Sequence, residues 1–447
     1  MLIRVFIKNF LSFEKESVLS LYPGKGPDNR HVIRERNKRD DIPALKAAVI
    51  YGANASGKSN LIKAVAFMKH FVTKGFPAPA GIDFENFKLS DEAEKSSKIE
   101  FEIKTNGTCY AYGADFNKNE VLEEWLVKIN KRSEQQIYKR KNLKRSVKVT
   151  FDKVNFNNKD NEQFAHFTGR GTPRNRLFLL EASRRNLNFI PEINDVFHWF
   201  SNQLRIIFPN TRNHGLEFNL REDKDLSEAF TRFLKYFNTG IAELSVQKTT
   251  PDIYLKDLPE DLIKNIKQSL KPGNRGIVNA QGNRKNYSFE KTKSGDIYAH
   301  RLTAKHKKKD GDNVYFELNE ESDGTNRLID LIPSLLDLNL NDSVYFIDEL
   351  DRSMHPILTR EIIDYFLSSS KDTPSQLIAT THESNLLDLD LLRRDEIWFV
   401  EKDKDNSSSL YSLLEFKPRK ETKIKNGYLN GRYGAIPFLS NPEELNW

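Results

Sequence analysis

The sequence predicts an α/β fold: a parallel sheet whose carboxyl edge carries a phosphate-binding loop, joined to an antiparallel β-subdomain and a helical insertion. Three observations carry that prediction. An apolar run, Ala47 to Tyr51, leads into Gly52-Ala-Asn-Ala-Ser-Gly57-Lys58-Ser59, the G-x4-G-K-S pattern of a loop that wraps phosphates. A second run, Val344 to Ile347, ends in Asp348-Glu349, and its continuous apolarity suits a strand covered on both faces. A third, Gln376 to Thr381, ends at His382 after an intervening helical pattern, the strand–helix–strand rhythm of parallel connections.

The opening residues, MLIRVFIKNF, interleave Arg4 and Lys8 with apolar positions, and no later run approaches the 18 residues of a spanning helix. Neither an export signal nor a membrane segment is expected. The one cysteine, Cys109, excludes an internal disulfide, and no Cys/His spacing suits zinc, so a reducing, cytoplasmic location is expected. With 38% hydrophobic and 30% charged residues, 30 Phe and 15 Tyr, the chain is folded but wet. Its net charge of +7 permits an anionic partner without requiring one.

The loop at 52–59 has a legible mechanism. Its glycines let backbone N–H groups approach an anion, and the helix that follows adds its positive N-terminus. Lys58 reaches the β- and γ-phosphates of a nucleotide, and Ser59 can hold Mg²⁺. Apolar Leu61, Ala64, Val65, Met68, Phe71 and Val72 recur at helical spacing, and Gly75 supplies a stop. The plain alternative is a tight strand-to-helix turn.

Residues 98–130 alternate around Asn106-Gly107, a hairpin signal and hence an antiparallel subdomain. Residues 131–148 hold eight Lys/Arg and one Glu, and Lys305–Lys309 is a second basic knot. Both suit either nucleic-acid phosphates or water. Helical patterns at Pro191–Phe208, Leu226–Phe237 and Leu258–Leu270 predict an inserted arm or lid, without the sustained heptads of a long coiled coil.

Lys58 and Asp348 stand 290 positions apart, so the site is assembled from both ends of the chain. Asp348 supplies a Mg²⁺ carboxylate, and Glu349 stands where a general base polarises water. Pro356 suits the first turn of a helix carrying Ile357, Leu358, Ile362, Ile363, Phe366 and Leu367. That helix returns the chain so that His382 reaches the same edge as Lys58 and Asp348, as a catalytic group or as an ordinary turn histidine. Ser322-Asp-Gly324-Thr opens a helix with Leu328, Leu331, Ile332 and Leu335 on one face. This is either a second anion-accepting helix N-terminus or a simple cap by Ser322 or Asp323. Residues 396–401 and 410–416 read as two more strands, and GYLNGRYGAIPF near the end reads as a surface-packed or docking tail.

The order GANASGKSN, ESDGTNRLIDL, VYFIDELDRSMHP, IATTHES resembles the ABC-type ATPase head of the RecF, SMC and overcoming-lysogenization-defect branch, and most of all stand-alone phage-defence ATPases of the RloA and AbiL kind. The resemblance covers about residues 1–75 and 315–439. It implies a split head of residues 1–130 and 310–447, with 131–309 as the insertion, and two protomers sandwiching ATP and Mg²⁺. Gly52, Asn54, Gly57, Lys58, Ser59 and Asn60 would bind ATP. Ser59 and Asp348 would hold Mg²⁺, and Glu349, His382 and Lys58 would be catalytic. Ser322 and Gly324 would reach the partner's nucleotide, and Asp351 would lie in an interface loop. The signature departs from LSGGQ, and no glutamine is placed as the Q-loop; the Glu123-Glu124 pair falls in that region.

The function this implies is an ATPase controlling a separate effector, a Toprim-like nuclease, in anti-phage defence, since no acidic nuclease cluster follows residue 420. The alternatives are a RecF-like DNA-repair or chromosome-maintenance ATPase binding DNA directly, and a non-hydrolysing scaffold.

Overall fold

A computed structural model describes the chain except for residues 26, 35–40, 79, 91–95, 131, 145, 214, 251–263, 265–267, 280–285, 420–421 and 438–447, and the side chains of 278, 279, 286 and 287. Two compact units emerge, Met1–Pro209 with Asp337–Asp351 and Thr359–Trp447, and Asn210–Leu336 with Arg352–Leu358. The first unit thus takes in residues 131–209, beyond the boundary expected at 130.

The first unit holds a six-stranded sheet in the order Leu204–Ile207, Val344–Ile347, Gln376–Thr380, Ala47–Tyr51, Ile397–Lys402, Ser408–Ser412. All neighbours are parallel except the last pair, which is antiparallel. The strand Ala47–Tyr51 is buried along its whole length, which is why its sequence does not alternate. Registers Ile378↔Ala48 and Val344↔Gln376 bring the carboxyl ends of three strands level. The helix Lys58–Thr73 buries Leu61, Ile62, Ala64, Val65, Met68, Phe71 and Val72, as its spacing requires.

Beside it lies a seven-stranded antiparallel sheet in the order Val147–Phe151, Ser133–Asn142, Val121–Asn130, Thr108–Phe116, Ser97–Thr105, Leu2–Lys8, Ser17–Ser20. Asn106 and Gly107, at φ of 48° and 70°, close the predicted two-residue hairpin between Thr105 and Thr108. The sheet extends to 151, so the basic stretch after 131 is largely strand. Gln376 links the sheets, accepting the Leu2 N–H at 2.5 Å and donating to the Leu2 and Leu45 carbonyls.

Three expectations change. The helical pattern predicted for 191–208 stops early: an α-helix, Pro191–His198, continues as a π-turn over Trp199–Gln203 and then becomes the strand Leu204–Ile207. Trp199 and Phe200 are fully buried, so their apolarity serves the core and not a helical face. Residues 413–416 form a 3₁₀ turn instead of continuing a strand. Ile357, expected on the buried face of the helix Pro356–Ser369, is 71% exposed.

The tail packs inward: Tyr428 and Tyr433 stack on Phe399, and Tyr428 also meets Tyr51. Phe438 and Leu439 lie outside the described residues.

In the second unit Ile297–Lys307 is the central strand, pairing with Glu243–Thr249 on one edge and with Asn286–Lys291 and Asn313–Glu317 on the other; Arg275–Asn279 completes the sheet. Helices Leu216–Glu222 and Lys224–Tyr236 belong to this unit, whereas most of the helix expected at 258–270 falls outside the described residues. Among the described residues the longest helix, Asp323–Leu340, has 18 residues, and no helix is long and apolar enough to cross a membrane.

Candidate nucleotide site

The phosphate loop leaves the sheet at Tyr51 with no room to spare. A Cβ at Gly52 would strike the Val400 carbonyl oxygen, and Gly57, at φ 116°, occupies backbone space that other residues rarely enter. Ala55 is also left-handed, at φ 62°. Asn54 is exposed on the loop.

Lys58 turns back over the loop. Its Nζ donates to the Gly52 carbonyl at 2.8 Å and the Ala53 carbonyl at 3.0 Å. Burial lowers its pKa to about 8, against the pull of Asp348, Asp351 and Glu349. A buried ammonium ringed by carbonyls is a group that an oxyanion would stabilise.

The neighbouring strands deliver the carboxylates. Ser59 Oγ lies 3.2 Å from Asp348 Oδ1, and the buried Thr380 hydroxyl donates to the same oxygen at 2.6 Å. Thr380 Oγ1 also accepts the Glu349 N–H at 2.8 Å. Glu349 sits at φ 49°, a left-handed conformation that costs a non-glycine residue about 1 kcal/mol or more and persists only when neighbours enforce it. Thr380 is that neighbour. Sequence reasoning passed over it; its only signal is a hydroxyl pair, Thr380-Thr381, closing an apolar strand.

His382 lies at the surface, at the end of the same strand. Its backbone N–H donates to Asp351 Oδ2 at 3.2 Å, so Asp351 anchors the histidine turn within its own chain. Burial first, and the Lys58 charge second, hold the imidazole below its ordinary range.

A hydroxyl and a carboxylate, Ser59 and Asp348, are hard oxygen donors suited to Mg²⁺, which takes few protein ligands when phosphates supply the rest. Among the described residues there is no group of three or more His, Cys, Asp or Glu that could hold a metal ion. Asn60 instead gives its amide to Ser12 Oγ at 2.9 Å.

Ser322 caps the helix Asp323–Leu340, accepting the Thr325 N–H at 3.1 Å, the simpler of its two readings. A Cβ on Gly324 would lie 2.5 Å from the Ser353 carbonyl oxygen. Both belong to the second unit.

The basic stretches are less available than their composition suggests. Lys139 and Lys141 both pair with Glu123. Arg140, on the opposite strand face, is 1% exposed and donates to carbonyls of Arg176, Thr172 and Pro173. Lys131 and Arg145 lie outside the described residues, whereas Lys144 and Lys148 are exposed. Lys305 pairs with Glu243, leaving Lys307 to Lys309 exposed at a hairpin tip.

Glu124 is not a coupling group at the loop. It accepts from Tyr112 and Tyr138 hydroxyls at 3.1 and 2.8 Å, and from the Phe178 and Leu179 N–H groups. It therefore fastens the start of the helix Phe178–Arg184 to the antiparallel sheet.

A family profile described as "AAA domain, putative AbiEii toxin, Type IV TA system" matches residues 47–388, a span that includes the loop, Asp348, Glu349 and His382. No curated protein matches the chain. Among solved structures, the SMC head domain from Thermotoga maritima is 15% identical, with 92% of this chain and 98% of that one covered at a TM-score of 0.38. An SMC head bound to the C-winged helix domain of ScpA is 16% identical, covering 93% and 99% at 0.44. An SMC head with an extended coiled coil, bound to the C-terminal domain of ScpA from Pyrococcus furiosus, is also 16% identical, covering 93% and 97% at 0.36. The fold rests on the strand order described above and not on these likenesses.

Proposed function

Because the chain belongs to the AAA-domain family described with the putative AbiEii toxins, we propose that it binds and hydrolyses Mg²⁺-ATP at the Gly52–Ser59 loop. In the same reading the ATP-bound form closes as a homodimer that controls a separate effector, a Toprim-like nuclease, in cytoplasmic antiviral defence. The observation that carries the chemistry is the convergence of Lys58, Ser59, Asp348 and Glu349, held by Thr380, at one sheet edge.

Each group has a task. Backbone N–H groups of 53–58 cradle phosphates, and Lys58 neutralises the β- and γ-oxygens. Ser59 and Asp348 would hold Mg²⁺, which when bound offsets charge on the phosphate oxygens. The Glu349 carboxylate accepts a proton from the attacking water, and the His382 ring N–H donates to the γ-phosphate. Ser322 and Gly324 contact the partner's nucleotide, and Asp351 lies near that interface. The family's description as a toxin of a type IV toxin–antitoxin system supports the defence role.

Light scattering tests the dimer. Glu349→Gln with saturating Mg²⁺-ATP runs at the mass of two chains; a monomer under those conditions removes the sandwich. A duplex-DNA affinity that rises with ATP and falls on neutralising Lys307 to Lys309 would favour the RecF-like alternative.

A further inference from the structure

Two serines near opposite ends of the chain meet beneath the phosphate loop. Ser408, on the antiparallel edge strand, is 2% exposed. Its Oγ lies 2.6 Å from the Ser56 carbonyl oxygen and 2.8 Å from Ser12 Oγ. Its backbone N–H donates to the Ser12 carbonyl at 2.7 Å, and Asn60 Nδ2 donates to Ser12 Oγ at 2.9 Å.

The proton count orders these contacts. A hydroxyl has one proton to give, and a carbonyl only accepts. The Ser408 hydroxyl is the donor of both contacts, its proton shared between the shorter one to the Ser56 carbonyl and the longer one to Ser12 Oγ. Ser12 Oγ accepts from both Ser408 and Asn60 and so holds the Ser408 hydroxyl beside the loop.

The carbonyl that Ser408 holds belongs to the Ser56–Gly57 peptide. A trans peptide holds its C=O and N–H on opposite sides of one plane, so fixing the oxygen against Ser408 fixes the Gly57 N–H in the reverse direction. Gly57, at φ 116°, is the one loop residue free enough to let this peptide rotate. It is also where a Cβ would strike both serine hydroxyls. A rotated peptide would present an oxygen, not an N–H, to an anion.

We propose that Ser408, backed by Ser12 and Asn60, is a positioning residue that locks the Ser56–Gly57 peptide with its N–H turned toward the nucleotide phosphates. The proposal rests on the reading of 52–59 as a phosphate loop. It gives the far C-terminal strand a direct hold on nucleotide affinity.

Titration calorimetry of the full chain with Mg²⁺-ATP, alongside steady-state turnover, tests it. Ser408→Ala weakens Kd roughly tenfold, the size expected from one buried hydrogen bond, and raises KM in step. At saturating ATP its kcat stays within about twofold, because Asp348 and Glu349 are untouched. Ser12→Ala shifts Kd the same way by less. A folded Ser408→Ala protein with wild-type Kd, or one losing kcat and melting temperature at constant Kd, overturns the lock. If Ser408→Ala does not fold, half-buried Ser12→Ala decides by the same criterion. A wild-type protein that binds no Mg²⁺-ATP overturns the phosphate-loop reading itself, a result distinct from either.

Discussion

Thr380→Val keeps the shape of the side chain and removes its hydroxyl. In the wild type that hydroxyl donates to Asp348 at 2.6 Å and accepts the Glu349 N–H at 2.8 Å. The first bond involves a carboxylate and contributes about 1.5–3 kcal/mol; leaving the Glu349 N–H unsatisfied costs about 1–3 kcal/mol more. Stability should fall by roughly 3 kcal/mol, since the two terms overlap. Activity should fall further. Glu349 is held at φ 49° by this contact, and a displacement of about 1 Å in a reacting group costs roughly a hundredfold in rate. The assay is steady-state ATP turnover at several Mg²⁺ concentrations, beside thermal melts of the same proteins. Thr380→Ser, which restores both hydrogen bonds, should recover most of the lost kcat without necessarily recovering the melting temperature. A Thr380→Val enzyme with kcat within about twofold of wild type would mean that Glu349 holds its place without the Thr380 hydroxyl.

Burial lowers the Lys58 pKa to about 8, and an ammonium binds phosphate better than an amine. Mg²⁺-ATP affinity measured by calorimetry should be level below about pH 8 and weaken above it as Lys58 loses its proton. Its folded pKa lies below the unfolded value, so the same residue makes folding more favourable as pH rises from about 8 toward 10.5. The His382 pKa is depressed by burial and by Lys58. NMR titration should find it below the free-histidine value and moved upward in Lys58→Ala; the associated stability is present above about pH 6.5 and is lost as pH falls through the folded value. Glu124→Ala leaves Arg140 buried without its carboxylate, 3.7 Å away in the wild type, and should destabilise the fold by about 3–5 kcal/mol in denaturant melts. Replacing Lys139 and Lys141 by Ala should leave any binding of duplex DNA within about twofold in gel-shift titrations, because both already face Glu123.

The parts of the fold that were legible are those where local pattern and tertiary role coincide. Strands 47–51, 344–347 and 376–380 are buried on both faces and read as unbroken apolar runs; Asn106-Gly107 fixes its hairpin through backbone geometry alone. Legibility failed where tertiary context decides. Residues 199–208 carry apolar side chains at a spacing that fits a helix, yet pairing with Val344–Ile347 draws Leu204–Ile207 into the sheet. The stretch 131–148 reads as one basic patch because composition ignores pleat. Alternation sends Lys139 and Lys141 to one face and Arg140 into the core. In the site, Lys58, Ser59, Asp348 and Glu349 were readable from motif and strand ends. Thr380, Ser12 and Ser408 were not, since the partners of these hydroxyls lie from 31 to 396 positions away and leave no local mark.

Turnover of ATP by the purified wild-type chain, measured beside Lys58→Ala and Glu349→Gln with bound nucleotide quantified in each, tests the central claim most directly. The wild type should release phosphate only with Mg²⁺, Lys58→Ala should lose both binding and release, and Glu349→Gln should retain ATP without releasing phosphate. Phosphate release by Lys58→Ala at the wild-type rate would contradict that claim.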